Sequence, residues 1–202
     1  MILALRKHIL ASLGLNFSEN HEKDLIRKAG FAAKEFGYPN TEQFVEWLLN
    51  STLTEQQTGT LASYLTIGET YFLREKKSFD FLEQIYLPGL IYKRFGSDRR
   101  LRIWCAGCST GEEAYSLAIE VLQSVPDIQH WDISIMATDI NPMFLEKAKK
   151  GIYTKWSFRN NAESSIGKYF TKTGPNEYHI LPMIKRMVNF TSLNLAEDSH
   201  PA

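Results

Sequence analysis

Residues 101–138 constrain the fold most, because their pattern alternates between that of a buried strand and that of an amphipathic helix. Leu101 to Cys105 and Asp132 to Thr138 predict two strands, and residues 112–123 predict a helix with apolar residues on its inner face. The glycine turn 107–111 separates the first strand from the helix. A strand, glycine turn, helix and strand in this order form the β-α-β unit of a doubly wound parallel sheet.

The first 68 residues have a different pattern and predict a small N-terminal all-helical domain. Apolar residues recur there at helical spacing in several short runs, with Ser18 and Thr41 as candidate N-caps. Residues 69–98 predict a linker helix, broken near Pro88-Gly89 because both residues disfavour a helix interior. The remaining residues, 99–202, contain the β-α-β unit and form the second domain.

Two further strands are predicted in the second domain. Tyr178 to Leu181 follows the turn signal Gly174-Pro175-Asn176, and Met187 to Leu193 is rich in strand-forming residues. The fold class is therefore α/β.

Charge and hydropathy give no indication of a nucleic-acid or membrane partner. The chain has 23 Lys and Arg against 23 Asp and Glu, so no overall field attracts either. No apolar run approaches the roughly 20 residues that a membrane span needs, and the first apolar stretch is too short and interrupted for a signal peptide. We therefore expect a cytoplasmic protein that neither binds nucleic acid nor inserts into a membrane.

The only cysteines, Cys105 and Cys108, form a C-x-x-C motif. Such a pair serves redox or metal chemistry in some proteins, but no second Cys or His pair stands at zinc spacing. The alternative is that both are small residues packed beneath a loop. We favour packing and predict no metal site.

The glycine turn ends in two adjacent acids, Glu112 and Glu113. Gly107 and Gly111 do not match G-x-G-x-x-G, the turn lacks a G-K-[ST] ending, and two carboxylates would repel a phosphate. Ser109 with Glu112, and Thr110 with Glu113, also fit the capping-box pattern. Helix capping therefore explains the presence of one of the two acids. We assign the cap to Glu112 and leave Glu113 to hold a cation. S-adenosylmethionine, a phosphate-free nucleoside with sulfonium and ammonium groups, suits such a site.

Asp139 ends the second predicted strand, where a doubly wound nucleotide-binding fold places an acid that accepts the ribose hydroxyls. Its separation from Gly111 is 28 residues, and the long connection before the strand accounts for the excess over the usual spacing. The alternative is that Asp139 caps the helix that starts at Asn141-Pro142. Both interpretations remain open at this stage.

Six segments of the chain together resemble the chemotaxis-receptor glutamate methyltransferases, the CheR type. The S-T-G-E-E-x-Y-S block is highly specific, and the segments follow one another in the order of the family. The segments are Thr70–Glu75, Trp104–Ser116, Ala137–Ile140, Leu145–Tyr153, Tyr169–Phe170 and Asn194–Leu195.

The resemblance implies a role for each matching residue. Arg74 would bind the methionine carboxylate, with Thr70 beside it, and its loss should be the most damaging. Glu113 would take the α-ammonium, Asp139 the ribose hydroxyls, and Asn194-Leu195 the adenine side. The predicted contacts of S-adenosylmethionine, or of its product S-adenosylhomocysteine, are Gly68, Thr70, Arg74, Ala106, Gly107, Glu112, Glu113, Asp139, Ile140, Asn194 and Leu195. Gly68 stands where the family often has asparagine.

The resemblance also implies a reaction and a partner. A monomeric enzyme would methylate glutamate side chains on the cytoplasmic domains of chemoreceptors. It would dock receptors through a small β-subdomain inserted near residues 171–187, in some members by way of a C-terminal receptor tether. Glutamate is ionised at neutral pH and attacks the methyl group without a general base. No catalytic triad is therefore required.

The predicted fold is a Rossmann-like (class I methyltransferase) doubly wound sheet that is C-terminally truncated. The sequence supplies only the first strands of a sheet that usually has seven, which leaves the first strand with an unpaired edge. We therefore expect a fragment of a longer enzyme that alone binds its cofactor weakly and methylates poorly. Two alternatives remain: a non-catalytic S-adenosylmethionine-binding signalling module and a dinucleotide-dependent oxidoreductase.

Overall fold

The computed structural model describes residues 1–159, 164 and 166–197, and the chain divides into two compact units. The first unit contains Met1–Ile67, Ile140–Met143 and the residues from Ser192 onward. The second contains Gly68–Asp139 and Phe144–Thr191. Two short segments from late in the sequence therefore join the N-terminal helices.

The first unit is helical, as its apolar spacing predicts. Buried side chains from all four helices form one core, which includes Ile9, Leu25, Phe44 and Leu61. The helices are α1 (Ile2–Leu13), α2 (Glu22–Glu35), α3 (Thr41–Asn50) and α4 (Glu55–Leu65).

The predicted N-caps of α2 and α3 are wrong. Asn40 caps α3, because its side-chain oxygen accepts a hydrogen bond from the backbone N–H of Gln43 at 2.9 Å, and Thr41 is already helical. Ser18 begins a short 3₁₀ turn, and its hydroxyl lies 2.8 Å from Nδ1 of His21 and caps no backbone N–H. Asn satisfies first-turn donors at least as well as Thr, so the earlier of two candidate residues became the cap.

Residues 140–143 are bound to α4 by side-chain hydrogen bonds within the first unit. Asn141 donates to Oγ1 of Thr66 at 2.8 Å and accepts from Oγ of Ser63 at 3.2 Å. Ile140 packs against the helical core. In the other late segment, which begins at Ser192, Asn194 donates to the carbonyl oxygen of Ser12 at 2.7 Å. These contacts fix both late segments on the N-terminal helices.

The second unit contains the predicted β-α-β unit. Strands β1 (Arg100–Ala106) and β2 (Asp132–Asp139) pair in parallel, in register from Arg100 opposite Asp132 to Ala106 opposite Thr138. Helix α7 (Glu112–Ser124) connects them. Strand β6 (Val188–Ser192) extends this sheet in the order β1-β2-β6, so β1 is an edge strand among the described residues. The α/β prediction is confirmed.

A second, antiparallel sheet contains β3 (Ile152–Tyr153), β4 (Phe170–Gly174) and β5 (Glu177–Ile180), and it includes most of residues 171–187. Its order is β3-β5-β4, and β4 and β5 form a hairpin around Pro175-Asn176, which confirms the turn and the strand at Tyr178. The remaining helices of the unit are α5 (Lys76–Phe81), α6 (Leu87–Phe95) and α9 (Pro182–Lys185), together with α8 (Pro142–Lys150), whose first two residues belong to the first unit.

The predicted helix break at Pro88-Gly89 is wrong. A π-helical turn, Leu82–Tyr86, joins α5 to α6, and the helix continues through both residues. Pro88 stands in the first turn of α6, where a residue without an N–H is tolerated. The wider turn before it absorbs the change of hydrogen-bond register, so the chain needs no break.

Glu120 is a buried acid on α7 that faces the side chains of α5 and the π-helical turn. It is 7% exposed, and its Oε2 has no hydrogen-bond partner among the described residues. Burial, together with the charges of Glu83 and Asp80, raises the pKa of Glu120 to about 7, although the charge of Lys76 opposes the shift. Below neutral pH the folded protein therefore holds this proton more tightly than the unfolded chain does.

The substitution Glu120→Gln should stabilise the protein in a pH-dependent way. Because the folded-state pKa is raised, the native side chain favours folding at acidic pH and loses that contribution as the pH rises through about 7. We expect the variant to exceed the native free energy of unfolding by about 1–3 kcal/mol near pH 8, and by close to nothing near pH 4.5. Urea unfolding at both pH values measures this, and an equal difference at both would contradict it.

Candidate cofactor site

The loop between β1 and α7 is fixed to the end of β2. The N–H of Cys108 donates to the carbonyl oxygen of Thr138 at 2.8 Å, and the N–H of Ser109 donates to Oδ2 of Asp139 at 2.8 Å. Gly107, Ser109 and Gly111 all have positive φ angles, of 71°, 48° and 93°. Every second residue of the loop is thus left-handed, which makes a tightly curved loop, and its hydrogen bonds to the end of β2 fix its position.

The two glycines of this loop have different surroundings. A Cβ atom on Gly111 would lie 2.8 Å from Cβ of Ala148 and 3.0 Å from the hydroxyl of Tyr153, so packing requires glycine here. A Cβ atom on Gly107 would meet no atom within 4 Å. The space beside Gly107 is open to a ligand.

The two adjacent glutamates point to opposite environments. Glu112 is 2% exposed; its Oε2 accepts from Oγ1 of Thr110 at 2.6 Å and its Oε1 from Oγ of Ser157 at 2.9 Å. Glu113 is exposed and accepts a hydrogen bond from Sγ of Cys105 at 3.3 Å. The exposed carboxylate is therefore the one that a dissolved ligand reaches.

The predicted capping boxes are wrong for both glutamates. Gly111 is the N-cap residue of α7, and no side chain accepts a cap hydrogen bond there. Ser109 is in the left-handed region instead of the extended conformation of a capping serine, and its N–H is bound to Asp139.

A cavity of about 490 Å³ adjoins Glu113. Aromatic rings and two carboxylates dominate its wall, a combination that favours a cationic group. The cavity brings Glu113 together with Glu75, the residue after Arg74. Its lining residues are Glu75, Ser78, Phe79, Phe81, Leu82, Tyr86, Glu113 and Leu117.

The segment that carries Thr70 and Arg74 is anchored by its backbone and leaves Arg74 exposed. Nη1 of Arg74 donates to the carbonyl oxygen of Glu69 at 2.5 Å, and its guanidinium carbon lies 5.9 Å from the ring centre of Tyr71. A Cβ atom on Gly68 would lie 2.6 Å from the ring of Phe144, so the asparagine common in the resembling family would require this ring to move.

Asp139 ends β2 next to the glycine loop and is 9% exposed. The alternative that it caps α8 is wrong, because Asn141 does so: its Oδ1 accepts from the N–H of Met143 at 2.9 Å. Ala106 is exposed at the end of β1, directly before Gly107. The carboxyl ends of the parallel strands thus bring together Ala106, Gly107 and Asp139, as expected for a ligand site in such a sheet.

Three predicted contacts lie in the first unit. Ile140 packs in the helical core, and the amide of Asn194 is bound to Ser12. Leu195 is 48% exposed. The roles assigned to these three residues remain predictions.

The buried serines Ser116 and Ser157 are not among the residues predicted from the sequence to belong to the site. Ser116 donates to the carbonyl oxygen of Glu112 at 2.7 Å, and Ser157 donates to its carboxylate. Ser116 belongs to the S-T-G-E-E-x-Y-S block, so its place in a specific motif was an available signal. Ser157 stands in a 3₁₀ turn with no pattern that marks it.

The cysteines are packed beneath the loop. Both are free and buried. Burial, together with the charge of Glu113, raises the pKa of the Cys105 thiol, and burial with the charge of Asp139 raises that of Cys108 to about 12. Thiols that stay protonated are poor nucleophiles and metal ligands, which supports the packing interpretation. In the described part of the chain, no group of three or more His, Cys, Asp or Glu side chains is arranged to hold a metal ion.

Comparison with known proteins identifies similar sequences. A family model described as "CheR methyltransferase, SAM binding domain" matches residues 68–202. The chemotaxis protein methyltransferase of Borreliella burgdorferi is 31% identical over 199 residues, which cover 98% of this chain and 70% of the relative. Chemotaxis protein methyltransferase 2 of Vibrio cholerae is 37% identical over 131 residues, which cover 65% of this chain and 45% of the relative.

The chain thus matches only part of each relative. A probable chemotaxis protein methyltransferase of Rhizobium etli is 33% identical over 67% of this chain and 51% of its own length. Among the described residues, no helix combines the length and apolar character needed to cross a membrane.

Alanine substitutions at the two loop glycines should differ in their cost to stability. Gly111→Ala adds a methyl group that collides with Ala148, in a left-handed conformation, and we expect a loss of about 3 kcal/mol in the free energy of unfolding. Gly107→Ala meets only the conformational penalty, about 1 kcal/mol. Urea unfolding of both variants tests this, and equal losses would show that Ala148 yields to the added methyl group.

Proposed function

Because the chain belongs to the CheR methyltransferase family, we propose that it forms part of an enzyme that methylates glutamate side chains of chemoreceptors. The observation that carries the proposal is the exposed carboxylate of Glu113 beside the open space at Gly107, with Asp139 at the end of the next parallel strand. The two carboxylates beside the loop suit a ligand with a positive charge and no phosphate at that end.

We propose that the residues around the glycine loop bind S-adenosylmethionine. Glu113 would hold the α-ammonium, and Asp139 the ribose hydroxyls. Arg74 would hold the carboxylate, with Thr70 beside it. The assignment of Ile140 and Asn194-Leu195 to the adenine side stays a prediction from the family resemblance. The open space at Gly107 supports the fit, because the loop backbone presents no side chain there.

The methyl-transfer reaction does not depend on general acid–base catalysis by the protein. The bound cofactor supplies a methyl group on a sulfonium, which an ionised glutamate attacks directly. The protein's residues align the two partners and exclude water from between them. Titrating catalytic side chains are not required.

We further propose that the partner is the cytoplasmic domain of a chemoreceptor and that the protein acts as a cytoplasmic monomer. The β4–β5 hairpin is a candidate docking element, since it projects an antiparallel turn at Pro175-Asn176. A C-terminal receptor tether is one mode of docking.

Arg74→Ala should weaken binding of S-adenosylhomocysteine about tenfold or more, because it removes the charge-assisted contact to the amino-acid carboxylate. Lys77→Ala is the matched control: it removes an exposed cation three residues further on, and should leave the affinity within about twofold. Isothermal calorimetry measures both. Equal affinities for the two variants would remove Arg74 from the site.

Methyl transfer should be detected directly. With tritiated S-adenosylmethionine and the full-length enzyme that contains this chain, we expect label on the glutamates of receptor cytoplasmic domains, none on receptors whose methylated glutamates are replaced by alanine, and little transfer by these 202 residues alone. A longer family member serves as the positive control. Binding of S-adenosylhomocysteine without transfer would favour a signalling module, and preferential binding of NADH would favour an oxidoreductase.

A further inference from the structure

The buried carboxylate of Glu112 bridges the glycine loop and the 3₁₀ turn that contains Ser157. One oxygen accepts from Thr110 in the loop and the other from Ser157, at 2.6 and 2.9 Å. The hydroxyl of Tyr153 donates to the carbonyl oxygen of Thr110 at 2.9 Å and secures the loop from the other side. Two separate parts of the chain are thus held by a single side chain.

Ser116 and Ser157, which both contact Glu112, also bind the backbone just before Arg74. The N–H of Phe72 donates to the carbonyl oxygen of Ser157 at 2.9 Å. The N–H of Leu73 donates to Oγ of Ser116 at 3.1 Å, and Ser116 in turn donates to the carbonyl oxygen of Glu112. Ser116 is bound to the backbone of Glu112 and Ser157 to its carboxylate, so the N–H of Phe72 is the donor that is linked to the Glu112 side chain.

The backbone at Leu73 requires such support. Its φ angle is 55°, a left-handed conformation that costs a branched residue about 1–2 kcal/mol. The ring of Phe72 is buried and lies 4.9–5.0 Å, centre to centre, from those of Tyr153, Phe158 and Phe170. The aromatic cluster and the hydrogen bonds together determine the direction in which the chain leaves toward Arg74.

The hydrogen-bond network excludes water. Thr110, Glu112, Ser116 and Ser157 are at most 6% exposed. Hydrogen bonds in such surroundings are strong, and a missing partner leaves a buried polar group unsatisfied. A change at Glu112 is therefore transmitted to its neighbours and is not absorbed by solvent.

We infer that Glu112 is a positioning residue that fixes the Arg74-bearing segment against the glycine loop, while Glu113 alone contacts the ligand's cation. The inference rests on the proposed function for the roles of Arg74 and Glu113. It replaces the earlier expectation that Glu112 contacts the cofactor, because both of its oxygens already accept hydrogen bonds from buried hydroxyls.

Two ligands separate positioning from direct contact. S-adenosylhomocysteine carries both an ammonium and a carboxylate, and its decarboxylated analogue carries only the ammonium. Glu112→Gln should weaken binding of S-adenosylhomocysteine about tenfold and binding of the analogue less than about twofold, because only the first ligand needs Arg74. Glu113→Gln is the matched control and should weaken both ligands. Calorimetry with the full chain measures all four affinities.

A second measurement needs no ligand. Hydrogen exchange of the peptide spanning residues 70–75 should be about tenfold faster in Glu112→Gln, while exchange in β2 stays unchanged. Ser157→Ala removes one donor to the carboxylate and keeps the glutamate. It should give the same pattern, and it serves as the test variant if Glu112→Gln does not fold.

The outcomes distinguish a positioning role of Glu112 from direct contact with the ligand. Equal weakening of both ligands in Glu112→Gln would show direct contact with the ammonium and overturn the inference, with the proposed function intact. Unchanged affinities and unchanged exchange would also overturn it. Failure of the full-length enzyme to bind either ligand would count against the proposed function, and the exchange measurement would still decide whether Glu112 fixes the segment.

Discussion

The candidate site depends on the two hydrogen bonds that join the glycine loop to the end of β2. Parallel pairing of β1 with β2 places Cys108 and Ser109 beside Thr138 and Asp139, and the loop takes its curvature from that attachment. Helix α7 then begins at a fixed position. Because successive helical residues are turned by about 100°, the first glutamate enters the interior and the second faces outward. One backbone attachment thus separates two chemically identical side chains into different environments.

The interior beneath the site is unusual in placing a small polar network beside an aromatic cluster. Glu112, Ser116 and Ser157 lie next to Phe72 and the rings packed around it. An apolar substitute would fill the same volume, but it would not specify which backbone groups meet. Directional hydrogen bonds in a low-dielectric interior select one arrangement of the loop and the segment before Arg74.

Most of the framework was predictable from the sequence, because it depends on local patterns. Hydrophobic periodicity indicated β1, α7 and β2, and the turn at Pro175-Asn176 marked the hairpin. The failures arose where tertiary contacts override local preference. The capping boxes gave way to a left-handed Ser109 bound to Asp139, and Pro88 was accommodated by a π-helical turn. Ser157 was unpredictable, since nothing local distinguishes it from a surface serine.

The helical unit is assembled from segments that are far apart in sequence. Residues 140–143 are tied to Ser63 and Thr66, and Asn194 is tied to Ser12. Residue 67 is therefore a poor crossover point for chimeras. Exchanging the first 67 residues between relatives would pair new helices with the old partners at Asn141 and Asn194. A substitution at Ser63 in α4 therefore affects a segment more than seventy positions later in the chain.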